Sequence, residues 1–176
     1  MTKNAGSRIL LLLLVLAGCA TTKTWTSSPV IQTSSNPYYE ARIEPLTRDH
    51  KFFVSFRLVV TNRTDNDLEI DWNKTRYFHN DRIGGAFVFK GIDPKTVKEL
   101  TIPPDIITAG ETFSKEIMPV RLIAWSPIRE SSPAGERGFS PGMLPAGENG
   151  LMLVVMQDGK PIVEKITVDI EVQENR

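Results

Sequence analysis

One cysteine, two histidines and no excess of either charge leave this chain short of most groups that carry chemistry. With Cys19 alone among 176 residues, no internal disulfide can form and no thiolate cluster can hold a metal. A Ser-His-Asp triad needs a histidine beside a nucleophile. His50 lies in the charged stretch Arg48-Asp49-His50-Lys51 and His79 in Tyr77-Phe78-His79-Asn80-Asp81, with no G-x-S-x-G elbow near either. The 21 basic residues are balanced by 21 acidic ones and form no run, which removes the usual footprint for nucleic acid or for anionic headgroups. No long stretch repeats with helical period beyond the first twenty residues, and no apolar run approaches the roughly 20 residues that span a bilayer.

What is present begins at the N-terminus. Lys3 and Arg8 precede eight consecutive apolar residues, 9–16, and then Ala17, Gly18 and Cys19. A basic n-region, a short apolar h-region and small residues before a cleavage point make an export signal. Leu16-Ala17-Gly18-Cys19 resembles the lipobox of bacterial lipoproteins, in which the cysteine thiol receives a diacylglycerol and becomes the first residue of the mature chain. The resemblance implies lipidation of Cys19, a membrane partner reached through that anchor, and a place in the bacterial cell envelope. Ala20, in place of aspartate, matches the outer-membrane default. Two or more acyl chains, at about 0.8 kcal/mol per buried CH₂, anchor a protein durably. Cleavage would leave 158 residues with 19 basic and 21 acidic side chains, enough for one domain.

The expected organisation is a signal peptide over 1–18, a lipidated cysteine and tether over 19–37, and one domain over 38–176. Nine of the residues 20–37 are Ser or Thr, with Pro29 and Pro37 as breakers. A flexible coil of that length spans on the order of 25 Å. Trp25 could rest at the membrane interface, or residues 29–33 could add an edge strand.

From Tyr38 onward the period is two. Tyr39, Ala41 and Ile43 alternate with charged residues; Phe52, Val54, Phe56, Leu58 and Val60 share one face; Leu68, Ile70 and Trp72 share another. Ile166, Val168, Ile170 and Val172 repeat the pattern, and 151–156 is a continuous apolar run suited to a central strand. Asp158-Gly159 signals a type I′ hairpin, residues 62–67 a polar loop, Gly84-Gly85 and Ala109-Gly110 turns, and Asp93-Pro94 the start of a short helix through Leu100. Seven or eight antiparallel strands between such turns predict an all-β, immunoglobulin-like sandwich with Phe56, Leu58, Leu68, Ile70, Trp72, Val154, Val168 and Ile170 in its core. Residues 125–150 break the rhythm with four prolines and five glycines, yet keep Ile128, Phe139, Met143 and Leu144. Such a loop either pins itself over an open end of the sandwich or binds a partner.

The stretch Leu68-Glu69-Ile70-Asp71-Trp72-Asn73-Lys74-Thr75, then Gly91 and Ile102-Pro103-Pro104, resembles a group of uncharacterised bacterial lipoproteins and periplasmic proteins over residues 50–120. The resemblance implies a single β-sandwich on a lipid anchor and lends no activity.

No catalytic, cofactor-binding or metal-binding residue is assigned. Asp65-Asn66-Asp67 lacks the glycine and closing glutamate of a calcium loop. Gly84-Gly85 lacks the Lys-Ser or Lys-Thr of a phosphate cradle. Trp72 is expected as a core anchor with its indole N–H satisfied at the edge, Asn73 and Thr75 bonding nearby backbone. The expected function is a non-catalytic binding or structural module with a protein partner in the envelope. The alternative is a small-ligand binder, for instance of glycans on Trp72, Tyr77 or Trp125, or a hydrolase using Asp65, Asp67 or Asp71.

Overall fold

The computed structural model describes residues 22–89, 99, 101–124 and 140–175. The signal peptide expected over 1–18, Cys19, all but residue 99 of the helix expected over 94–100, and residues 125–139 of the expected loop lie outside the described residues.

Two antiparallel sheets face each other across one apolar core. The first holds, in order, β2 (Gln32–Ser35), β3 (Tyr39–Arg48), β4 (Phe52–Asn62), β10 (Thr112–Pro119) and β8 (Phe87–Val88). The second runs β1 (Thr22–Ser28), β14 (Lys160–Asn175), β13 (Gly147–Gln157), β5 (Leu68–Ile70) and β9 (Asp105–Ile107). Beside β5, the short strand β6 (Arg76–His79) also pairs with β13, and carries β7 (Arg82–Ile83) on its outer side. The order β3-β4-β10-β8 against β14-β13-β5 is the immunoglobulin arrangement of strands A-B-E-D against G-F-C. A 3₁₀ turn, Val120–Leu122, leads to a small ladder between β11 (Ile123–Ala124) and β12 (Ser140–Pro141).

The period-two pattern buries what it promises. Tyr39, Ala41, Ile43, Phe56, Leu58, Val60, Leu68, Ile70, Trp72, Val168 and Ile170 are all within 2 % of full burial and belong to one cluster. Along β13 the cluster takes Leu151, Leu153 and Val155, so Val154, though buried, lies outside it. The face of β4 departs from expectation at its start. Leu46 pairs with Ser55 but Thr47 with Phe53, so Val54 is an extra residue on the longer strand. That bulge reverses the alternation, and Phe53 enters the core while Phe52 stays half-exposed. The hairpin between β13 and β14 turns on Asp158 and Gly159, both with positive φ (48° and 75°), as a type I′ turn requires.

The tether expected over residues 19–37 is corrected from Thr22 onward. Thr22 to Ser28 pair residue by residue with Asn175 to Asp169, and Gln32 to Ser35 with Ile43 to Glu40. β1 and β2 form one path along the sandwich that changes sheets at residues 29–31, closing one side of the core. Trp25 is partly buried and packs against that core. The Thr and Ser content that suggested a coil is equally the composition of an edge strand with one wet face, because β-branched Thr suits extended backbone. β1 and β2 therefore belong to the sandwich, ahead of the expected boundary at Tyr38.

Candidate functional site

The densest chemistry in the described residues is where β5 leaves the second sheet. Trp72 lies two residues past the end of β5, is 1 % exposed, and donates its indole N–H to Asp105 Oδ2 at 2.7 Å. Phe89 and Phe113 stand beside it, their ring centroids 5.1 and 6.5 Å away. The Lys115 ammonium lies 3.9 Å from the Phe89 centroid, 5.4 Å from that of Phe113 and 5.5 Å from that of Trp72. It also pairs with the same Asp105 oxygen that accepts from Trp72. Three rings and a carboxylate thus enclose a cation supplied by the chain itself, and cation–π attraction adds to the ion pair. Lys115 on β10 and Asp105 on β9 belong to opposite sheets, so the pair closes the side of the sandwich away from β1.

One residue on, Asn73 Nδ2 donates to the Ile102 carbonyl at 2.7 Å and Asn73 Oδ1 accepts from the Ile102 N–H at 2.9 Å. The two stretches 68–75 and 102–104, separate in sequence, meet through this double bond. Thr75 is fully buried and its hydroxyl oxygen accepts from the Val154 N–H at 3.1 Å. Asn73 and Thr75 do bond backbone, but of other segments than the exit of their own strand. Trp72 and Tyr77 (2 % exposed) offer no face to a sugar ring, which removes the glycan platform built on them; Trp125 lies outside the described residues.

The remaining candidates are spread apart. Asp71 Oδ1 accepts from the Lys74 N–H and Oδ2 pairs with the Lys74 ammonium at 2.9 Å. Asp67 accepts from the Ala109 N–H at 3.0 Å, tying the 62–67 loop to the next turn, while Asp65 is exposed in that loop. His50 and Asp49 form the β3–β4 turn, both at positive φ, and His50 is solvated. His79 ends β6 with Nε2 3.1 Å from the Ala146 carbonyl. Gly84 makes room for a ring: a Cβ there would stand 2.5 Å from Tyr77 Cδ1, and no helix opens after it to cradle phosphate. Among the described residues no group of three or more His, Cys, Asp or Glu could hold a metal ion, and no helix is long and apolar enough to cross a membrane.

Sequence reasoning missed the polar groups that hold the ends together. Asn62 and Asn149 are buried, each bonded through both sides of its amide. Burial pushes the Tyr77 hydroxyl well above the ordinary phenol range; it donates to Asn149 Oδ1. Tyr39, 0 % exposed, is raised likewise by burial and by the nearby Glu164 charge, and its hydroxyl has no hydrogen-bond partner among the described residues. Glu164 instead accepts from Ser34 and from Asn36 Nδ2, linking β14 to β2 and to the turn after it. On the outer face of the second sheet Glu148 is held below the usual carboxylate range by its bond to Lys165, with Thr167 also donating to it.

No known protein family matches the chain, and no curated protein or solved structure is significantly similar to it.

Proposed function

We propose that this chain is a lipid-anchored protein of the bacterial cell envelope, in the outer membrane, and that its sandwich is a non-catalytic binding or structural module for a protein partner. The reading is carried by Leu16-Ala17-Gly18-Cys19 directly behind a charged and then apolar leader, ahead of a folded sandwich. The placement of the polar side chains supports the second half. Asp71 and Asp67 are each bonded into the fold, and Trp72 and Tyr77 are buried, so among the described residues named for an enzyme or a glycan site only Asp65 is exposed and not bonded into the fold.

The test is mass spectrometry of the full chain expressed in a bacterial host and recovered from its membranes. The mature protein is expected to begin at Cys19 and carry acyl mass there, while Cys19→Ser accumulates as precursor or leaves the detergent phase. An intact mature protein with a free Cys19 thiol refutes the anchor. Crosslinking of the wild-type protein in its own envelope should trap a protein neighbour; turnover of a small substrate by the purified domain would refute the non-catalytic reading.

A further inference from the structure

We infer that the domain is held end-on against a lipid bilayer, with the end that carries Thr22 and Asn175 as its membrane-facing surface. This rests on acylation of Cys19, proposed above. The argument is one of chain length. Only three residue steps separate Cys19 from Thr22, a reach of at most ~10 Å even when fully extended. Thr22 is the first residue of a strand paired with Asn175, and the pairing continues without interruption to Ser28. A coil of 18 residues would let the domain sample all orientations; a link of this length attached to an ordered strand does not.

The register then says which end that is. β14 runs from Lys160 beside the Asp158-Gly159 hairpin to Asn175, sixteen residues or about 50 Å of strand. Residues 171–175 continue past Ile170, the residue opposite the start of β13, so they and Thr22 to Thr26 form a two-stranded ribbon. Tyr39 pairs with Asn62 and Thr112 with Thr61, which places the β2–β3, β4–β5 and β9–β10 connections at the Asp158 end. The turn at Asp49 and His50 closes the opposite ends of β3 and β4, on the Thr22 side.

Among the described residues the charges at this end are mixed and do not set the contact. Lys23, Arg48 and Lys51 stand there with Asp49, Glu171 and Glu174, and Lys23 already pairs with Glu174 at 3.0 Å. The approach should therefore be insensitive to salt and to anionic lipid, unlike a basic patch on a charged bilayer.

The experiment uses the full acylated protein in phosphatidylcholine vesicles carrying nitroxide-labelled lipid. Cys19, once acylated, does not react with thiol dyes, so a single introduced cysteine reports its own position. Fluorophores at Lys51→Cys and at Glu174→Cys are expected to be quenched several-fold more than fluorophores at Asp65→Cys and at Lys160→Cys. The difference should persist at high salt. A Gly/Ser linker inserted between Ala20 and Thr21 should erase it while the protein still floats with the vesicles. Equal quenching at all four sites, or quenching at none, in protein that floats with the vesicles overturns the orientation alone. Protein that lacks acyl mass and does not float overturns the anchor and the orientation together.

Discussion

The two ends of the sandwich are each tied by one buried asparagine, and they differ in what that asparagine has to hold. At the Asp158 end the connections are short, and Asn62 reaches two of them. Its amide nitrogen donates to the carbonyls of Asn66, Ile107 and Thr108 at 2.8, 3.0 and 3.2 Å, and its oxygen accepts from Thr64 N–H and hydroxyl. At the Thr22 end, Asn149 donates to the carbonyls of Pro145 and Gly147 at 2.8 Å and accepts from the Tyr77 hydroxyl. It straightens the chain into β13, which begins at Gly147, inside the stretch 125–150 expected to hold no regular element. Nearby, Leu144 reaches the core and its N–H donates to the Phe53 carbonyl at 2.8 Å. One end is stitched turn to turn; the other is a seam between the stretch that leads into β13 and the sheet. If the Thr22 end faces lipid, the stitched end is the one left to meet a partner, which shifts that role away from Leu144 and its described neighbours.

Trp72 lies between the ends and sets the scale for both. Trp72→Ala removes a buried ring from three neighbours and leaves Asp105 with only Lys115, so a loss of about 3–5 kcal/mol in urea unfolding is expected. A loss below 1 kcal/mol would mean that this side of the sandwich does not depend on the ring cluster. Asn62→Ala should come next, at about 3 kcal/mol, because it strands the buried Ile107 carbonyl and cuts the bonds to Thr108 and Asn66 in two separate connections. Asn149→Ala should cost less, about 2 kcal/mol, since its carbonyl partners lie within one segment. If Asn149→Ala proves the costlier, the seam and not the stitched end is the weaker point of the fold.

The strands, the hairpin at Asp158-Gly159 and the burial of Trp72 were legible because each depends on local chemistry: alternation, a dipeptide tolerant of positive φ, a large ring at a strand end. Three features were not. The bulge at Val54 is a property of the pairing between β3 and β4, and neither strand alone reports it. The β1–β2 path reads as a coil because its apolar content is low, though Thr22, Thr24 and Thr26 flanking Trp25 are a strand's composition. Asn62 looks like an ordinary turn residue until the fold brings the Ile107 and Thr108 carbonyls to it, and Asn149 until the fold brings the Tyr77 hydroxyl. The candidate site was legible only as Trp72. That Lys115 and Asp105 complete it depends on β9 and β10 facing each other from different sheets, which no spacing encodes.

The tyrosines sharpen the same comparison on a smaller scale. Tyr77→Phe leaves buried Asn149 Oδ1 without its donor, so a cost of about 1–2 kcal/mol is expected. Tyr39→Phe removes a hydroxyl that has no partner among the described residues and should be close to neutral at pH 7. Both phenols are raised in the fold, so the stability tied to their neutral form is complete below the ordinary phenol value of about 10 and is lost as pH rises beyond it. Tyr39→Phe should therefore lose less stability than wild type between pH 9 and pH 11. An equal alkaline loss in both proteins would place the titrating group elsewhere.

The smallest effect belongs to neither end but to the outer face between them. Glu148 Oε1 lies 2.9 Å from the Lys165 ammonium and accepts from Thr167 Oγ1 at 2.9 Å, while Lys165 also sits 3.9 Å from the Phe78 ring centroid. Its carboxyl is lowered, first by the bond to Lys165, against a small opposing effect of burial. A lowered carboxyl contributes stability above its ordinary value of about 4.3, and that contribution is lost as pH falls through the folded value. Glu148 and Lys165 are more than a third exposed, so solvent and salt screen most of it. Glu148→Gln should lower the thermal midpoint slightly at pH 7 and low salt, and that deficit should close as pH falls below about 4 or as salt rises. A deficit that stays constant from pH 7 to pH 3 would assign the contribution to the Thr167 hydrogen bond, which a glutamine oxygen positioned differently would lose at every pH. The charge of Glu148 would then play no part in holding Lys165 over Phe78.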